Sequence, residues 1–302
     1  MGKVLGEWTR AAPLSAAAHE ERPAPRVDIV ALLSLCALAL VYAPVVRELV
    51  HVWRVDPYGG HGMFVPAYSA LLFWFDRRRL AMIPRRREPA GALLVLTALA
   101  LLALGRWVDS IAVQGLSIVI ALAGWALWRF GARRLRAAAF PIGFLALMLP
   151  LPRTVVDRIT LDVQTFHAGF SSVVLELAGV PHVQRGIYIE LPTTTLSVAE
   201  GCNGLRFLMA LVTLAAAFAQ ASQRTTGRRL LLVAVAVPLA VVANGLRVSA
   251  LCLAAYQMGP QAAAGLTHYS IGKALWAGTL AVLGLIGMLL RRGGRSTPPR
   301  DA

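Results

Sequence analysis

Apolar residues in this chain come in unbroken runs, not at the spacing of a single helix face or of alternating strand positions. Eight runs stand out, over 29–46, 63–75, 90–104, 111–128, 137–149, 205–221, 230–253 and 273–290. A helix needs about 20 apolar residues to cross roughly 30 Å of hydrocarbon. The second and fifth runs fall short of that, so they tilt, extend into their flanks or re-enter. The pattern predicts an all-α polytopic membrane protein of about eight transmembrane helices, built as one integral membrane domain over 27–292.

The longest stretch between runs lies over 151–200. Its first part mixes Val155, Val156, Ile159, Val163, Phe166, Phe170, Val173, Val174 and Leu177 with Asp157, Arg158, Asp162, Gln164 and His167. That is an amphipathic helix, lying along the outer membrane interface or packed on the bundle. After Gly179-Val180-Pro181 the period changes. Ile187, Ile189 and Leu191 alternate with Tyr188 and Glu190, and Leu196 and Val198 follow a Pro-Thr-Thr-Thr bend. This predicts a small β-hairpin, whose extended edge suits a peptide added as a further strand.

Charge changes the picture. The net charge of +15 invites a nucleic-acid partner, but the arginines sit in 76–88, 129–136, 224–229 and the tail from 291. Those are alternate loops, the placement expected of cytoplasmic loops in a membrane protein. The bilayer, and no nucleic acid, is therefore the expected surroundings. Both termini are expected inside, with 1–26 a flexible Ala/Pro/Arg-rich tail instead of a signal peptide and 293–302 disordered. The segments around 51–61, 106–110, 151–205 and 254–272 then lie outside.

Three chemically useful residues share that outer side. Cys202 lies in Ala199-Glu200-Gly201-Cys202-Asn203-Gly204-Leu205-Arg206 at the mouth of the sixth run. A thiolate is favoured by a helix N-terminus and a nearby cation, and Arg206 is one turn on. Gly201 and Gly204 admit close approach of backbone or substrate, and the same donors suit an oxyanion. Arg247 stands near the end of the seventh run with Asn244 one turn before it. A guanidinium there either snorkels to headgroups or faces a polar cavity. His268 lies in the outer loop before the eighth run, and an imidazole exchanges protons near neutral pH. Cys36 and Cys252 are expected to pack as small hydrophobes. His61, in Tyr58-Gly59-Gly60-His61-Gly62, also lies outside, but the chain has no HExxH or paired CxxC. No metal and no cofactor are expected.

With these residues in view, the chain resembles the exosortase/archaeosortase family. The run ending Cys202-Asn203-Gly204-Leu205-Arg206 is similar to the family's Cys-Ser-Gly-Leu-Arg block, with Asn203 in place of Ser. Ala243-Asn244-Gly245-Leu246-Arg247 is similar to its Ala-Asn-x-x-Arg block, and His268 with Gly272 to its third. The resemblance implies a protein-sorting cysteine transpeptidase of the bacterial inner membrane. Its substrates would be membrane-anchored proteins with a C-terminal sorting tail: a short motif such as Pro-Glu-Pro, one transmembrane helix and a basic cluster. Cys202, Arg247 and His268 would be catalytic, and Glu200, Asn203, Arg206, Asn244 and His61 would contact substrate. An arginine does not readily lose its proton, so His268 suits acid/base work and Arg247 charge stabilisation. The alternative is a non-enzymatic transporter, or an export or polysaccharide-assembly subunit, with Arg247 and His268 lining a solute path.

Overall fold

A computed structural model describes residues 28–56, 58–198, 204–263 and 265–292. Ten helices are seen among them: α1 (Ile29–Val55), α2 (Phe64–Met82), α3 (Ala90–Trp107), α4 (Ile111–Phe130), α5 (Ala132–Ala137), α6 (Ala139–Phe144), α7 (Arg153–Leu177), α8 (Leu205–Ser222), α9 (Thr226–Met258) and α10 (Gly265–Arg292). Six of them, α1, α3, α4, α8, α9 and α10, are long and apolar enough to cross a membrane. A seventh crossing arises if the bent pair Ala139–Met148 and Arg153–Leu177 counts as one span. The multi-pass helical architecture matches the expectation, and its count of eight is approximate.

The two short runs account for the difference. Asp76 and Arg77–79 occupy the last turns of α2, which lowers its apolar content without shortening it. The fifth run forms only the short α6 and a 3-10 turn over Leu145–Met148, set off at Ala138 from the arginine-bearing α5 before it. Both segments nevertheless run the depth of the bundle, antiparallel to each other. The Arg134 guanidinium donates to the carbonyl of Ile83, Ser69 Oγ donates to Pro141 at 3.0 Å, and His61 Nε2 meets the Leu147 carbonyl at 3.0 Å.

Local rules fix the helix ends. Asp28 caps α1 by accepting from Ala31 N at 3.0 Å, and Ser110 caps α4 by accepting from Val113 N. Between α3 and α4 the backbones come unusually close. A Cβ on Gly91 would lie 2.1 Å from Trp128 N, and one on Gly124 would lie 3.0 Å from the Gly91 carbonyl. Small residues at such a seam are how membrane helices gain van der Waals contact where lipid offers no hydrophobic drive. On α1, Tyr42 donates to the Ser117 carbonyl, and Ser34 accepts from Trp125 Nε1.

α7 is bent 73° from the preceding segment and packs on α9, so it belongs to the bundle. Its buried face is Gln164, His167, Ala168, Ser171 and Leu175, whereas Leu161, Phe166, Val173 and Leu177 are exposed. His167 Nε2 meets the Val241 carbonyl and Ser171 Oγ donates to that of Gly245. Gln164, His167 and Ser171 thus face protein together with Ala168 and Leu175, whereas Asp157, Arg158 and Asp162 share the exposed side with the apolar residues.

The predicted hairpin is a three-stranded antiparallel sheet, β1 (Val183–Arg185), β2 (Tyr188–Leu191) and β3 (Thr194–Ser197), in the order β1-β2-β3. Ile187, expected in a strand, instead lies in the β1–β2 turn beside Gly186, whose φ of +60° suits glycine. Ile189, Leu191 and Val198 bury against Ala168, Leu175, Val248 and Cys252. The sheet is thereby seated on α7 and α9. Cys252 is buried as expected, but Cys36 is exposed on the outside of α1.

Candidate active site

Arg247 and His268 meet. Arg247 Nη2 donates to His268 Nε2 at 2.9 Å. On its other side His268 Nδ1 lies 3.2 Å from the Ala263 carbonyl, which accepts only hydrogen. Nδ1 therefore carries the proton, and Nε2 offers its lone pair to the guanidinium. His268 is in the first turn of α10 and not in a loop. Arg247 is not at the end of its helix, because α9 continues for three turns to Met258.

Gly272, one turn beyond His268, gives the guanidinium its place. A Cβ there would touch Arg247 Nε at 3.4 Å, so the side chain lies flat against α10. Arg247 Nε is buried and has no hydrogen-bond partner among the described residues. One face of this arginine is thus committed to His268, and another donor remains unused.

At the start of α8, Gly204 is the N-cap, with φ at +84°. A Cβ on it would lie 2.8 Å from both Asn244 Nδ2 and His167 Cε1. Only glycine satisfies both the left-handed backbone and the contact with these two buried side chains. Asn244 is 1% exposed, so it props the α8 terminus instead of greeting solvent.

Gly204, Arg206, Asn244, Arg247 and His268 all line one cavity of about 480 Å³. Phe207, Ala210, Tyr269, Lys273 and Trp276 complete much of its wall. Arg206, Arg247 and Lys273 are cationic, and no carboxylate is among the lining residues described. Such a cavity favours an anion, or an oxygen that gains charge during reaction.

A second cavity of about 470 Å³ shares Arg206, Ala210 and Trp276 with the first. It is lined mainly by apolar and aromatic groups, including Phe64, Tyr68 and Phe144, with His61 at its edge. His61 is therefore next to the Arg247–His268 pair but in a different chamber. Burial holds its imidazole below the ordinary value, against the opposing effect of the Leu147 and Tyr58 carbonyls.

Of the residues expected to carry the chemistry, Arg206, Asn244, Arg247 and His268 come together. Cys202, Asn203 and Glu200 lie outside the described residues. The sequence reading missed Phe207 and Trp276, whose rings meet edge-to-face at 4.6 Å, and Lys273, which lies over the Tyr269 ring. A signal was present: His268, Gly272 and Trp276 recur every fourth residue, as do Tyr269 and Lys273.

Residues 53–286 match the transmembrane exosortase family, which is more than half of the chain. The chain belongs to that family. Comparison with curated proteins and with solved structures returned no match. Within this exosortase, the matched region contains the Arg247–His268 pair, both cavities and the sheet.

Proposed function

We propose that this exosortase is a membrane-embedded cysteine transpeptidase whose nucleophile is Cys202 and whose remaining machinery is Arg247 and His268. The observation that carries the reading is the 2.9 Å Arg247–His268 contact in a cavity that also includes Gly204. Cys202 is two residues before Gly204 in the chain.

The reaction begins when Cys202 Sγ attacks the carbonyl carbon of a substrate peptide bond, its proton bound for His268 Nε2 once Arg247 has released that nitrogen. The oxygen of the tetrahedral intermediate becomes negative. As that charge develops Arg247 shifts its hydrogen bond from Nε2 to the oxygen, and the freed Nε2 takes the thiol proton. The C–N bond breaks, His268 returns the proton to the leaving amine, and an acyl-thioester on Cys202 remains. A second amine attacks the thioester, loses a proton to His268 and leaves Cys202 free; water in its place would give hydrolysis.

The substrate is a membrane-anchored protein with a C-terminal sorting tail of motif, transmembrane helix and basic cluster. The cationic wall of Arg206, Arg247 and Lys273 suits a motif carrying a glutamate, and the apolar second chamber suits its neighbouring side chains. Charge placement puts the cavity on the outer face of the inner membrane and both termini in the cytoplasm.

Following a tagged tail-bearing substrate beside wild-type protein and the Cys202→Ala variant tests this reading. Processing is expected to stop in the variant, and wild type is expected to yield a hydroxylamine-sensitive adduct. Continued processing by Cys202→Ala would exclude the cysteine mechanism. Product masses with and without an added amine then separate transfer from hydrolysis.

A further inference from the structure

The opposite end of α2 carries a second pair of joined cavities. One, of about 660 Å³, is walled by Phe73, Leu80, Leu122, Trp125, Phe130 and Ile142. The other, of about 460 Å³, is lined by Arg85, Arg86, Arg133 and Arg136, with Glu88 as its acidic member. Arg85 and Phe130 belong to both, so an apolar cleft opens directly onto a basic mouth.

Charge in this region is far from balanced. Asp28 is taken by the buried Arg129, with Arg85 a further 3.6 Å contact. Glu88 accepts from Ala132 N. Arg85 and Arg134 each hold a guanidinium 5.6 Å from the Phe130 ring centre, from two different segments. Arg86, Arg133 and Arg136 are exposed and make no side-chain hydrogen bond or ion pair among the described residues. Several cations thus converge on a space whose lining carboxylate, Glu88, already accepts a backbone hydrogen bond, and they border an apolar cleft.

We propose that these joined cavities bind an anionic phospholipid, its phosphate at the arginine mouth and an acyl chain in the cleft beside Trp125. Basic pockets between membrane helices take anionic head groups, and the apolar chamber supplies what a soluble anion would not use. The basic cluster of a sorting tail is repelled here, so this site is separate from the substrate path. The proposal does not depend on the cysteine chemistry.

The test uses the full chain, purified and delipidated in detergent. Its thermal unfolding is followed while phosphatidylglycerol, phosphatidylcholine with the same acyl chains, or inorganic phosphate is added. Phosphatidylglycerol is expected to raise the unfolding temperature, and the other two are not. The variant Arg86→Gln/Arg133→Gln/Arg136→Gln should require on the order of a hundredfold more phosphatidylglycerol. Its lipid-free unfolding temperature should stay at the wild-type value, because these side chains hold nothing else. A charge-matched control, Arg224→Gln/Arg228→Gln/Arg291→Gln, should respond as wild type does. Equal stabilisation by phosphatidylcholine, full stabilisation by phosphate alone, or equal loss in the control would each overturn the proposal.

Discussion

The α3–α4 hairpin and the α8–α9–α10 group both depend on glycine, and they use it in opposite ways. In the hairpin, Gly91 and Gly124 face each other's backbones, and the space between the helices closes. In the second group, Gly204 faces Asn244 and His167, and Gly272 faces Arg247. There the missing Cβ makes room for functional side chains, and a cavity remains. Small residues close one region and furnish the other, so a glycine in a membrane helix has to be read from its neighbour.

The comparison is broken most sharply at the pair itself. Arg247→Gln and His268→Ala are each expected to lower substrate processing about a thousandfold, equivalent to about 4 kcal/mol. Neither should move the unfolding temperature as a hairpin change does. A large loss of stability in both would make the pair structural.

Gly91→Ala is next and acts in the other direction. Its methyl would press on the backbone of Trp128, and overpacking of this kind costs about 3 kcal/mol. Detergent unfolding should register that loss, while the protein that remains folded keeps its activity per molecule. Gly204→Ala sharpens the contrast by affecting both quantities. The left-handed backbone and the contact with Asn244 and His167 together should cost about 2 kcal/mol. Activity should fall further than stability alone explains, as measured on the folded fraction.

The smallest expected effect lies at His61, which bonds the carbonyl of Leu147 where the two regions approach each other. Its imidazole is held below the ordinary value by burial, so the folded state favours the neutral form. The associated stability is present above the unfolded value of about 6.5 and is lost as pH falls through the folded one. Unfolding temperatures should drop as pH falls below about 6.5, and His61→Gln should flatten that part of the profile.

Much of this arrangement was legible in the residues. Runs of apolar side chains marked the six long helices, and the Asn-x-x-Arg spacing put Asn244 and Arg247 on one helical face. What escaped had physical causes. Thr267, His268, Tyr269 and Ser270 read as loop because they are polar, yet α10 begins before them. Trp276 and Phe207 sit inside apolar runs, where a cavity wall and a lipid-facing side chain look alike. Period alone gives α7 two faces without saying which one meets the bundle; packing decides it, with Gln164, His167 and Ser171 turned inward and Asp157, Arg158 and Asp162 exposed. The strand β1 has only Val183-Gln184-Arg185, too short to alternate visibly.

α10 is fastened near both ends. At one end is His268, bonded to Arg247; near the other, Gln223 Nε2 donates to the Gly287 carbonyl at 2.8 Å. At 1.5 Å per residue these fastenings lie about 28 Å apart along the helix. Between them the helix is held by packing, Trp276 against Phe207 of α8 and Leu283 buried in the core shared with α8 and α9. Mechanically α10 is a beam with a directional polar support near each end: the first ties it to α9, the second to the residue that ends α8. Any shift of α10 away from α9 has to release a support, and the support beside the cavity is the Arg247–His268 bond itself.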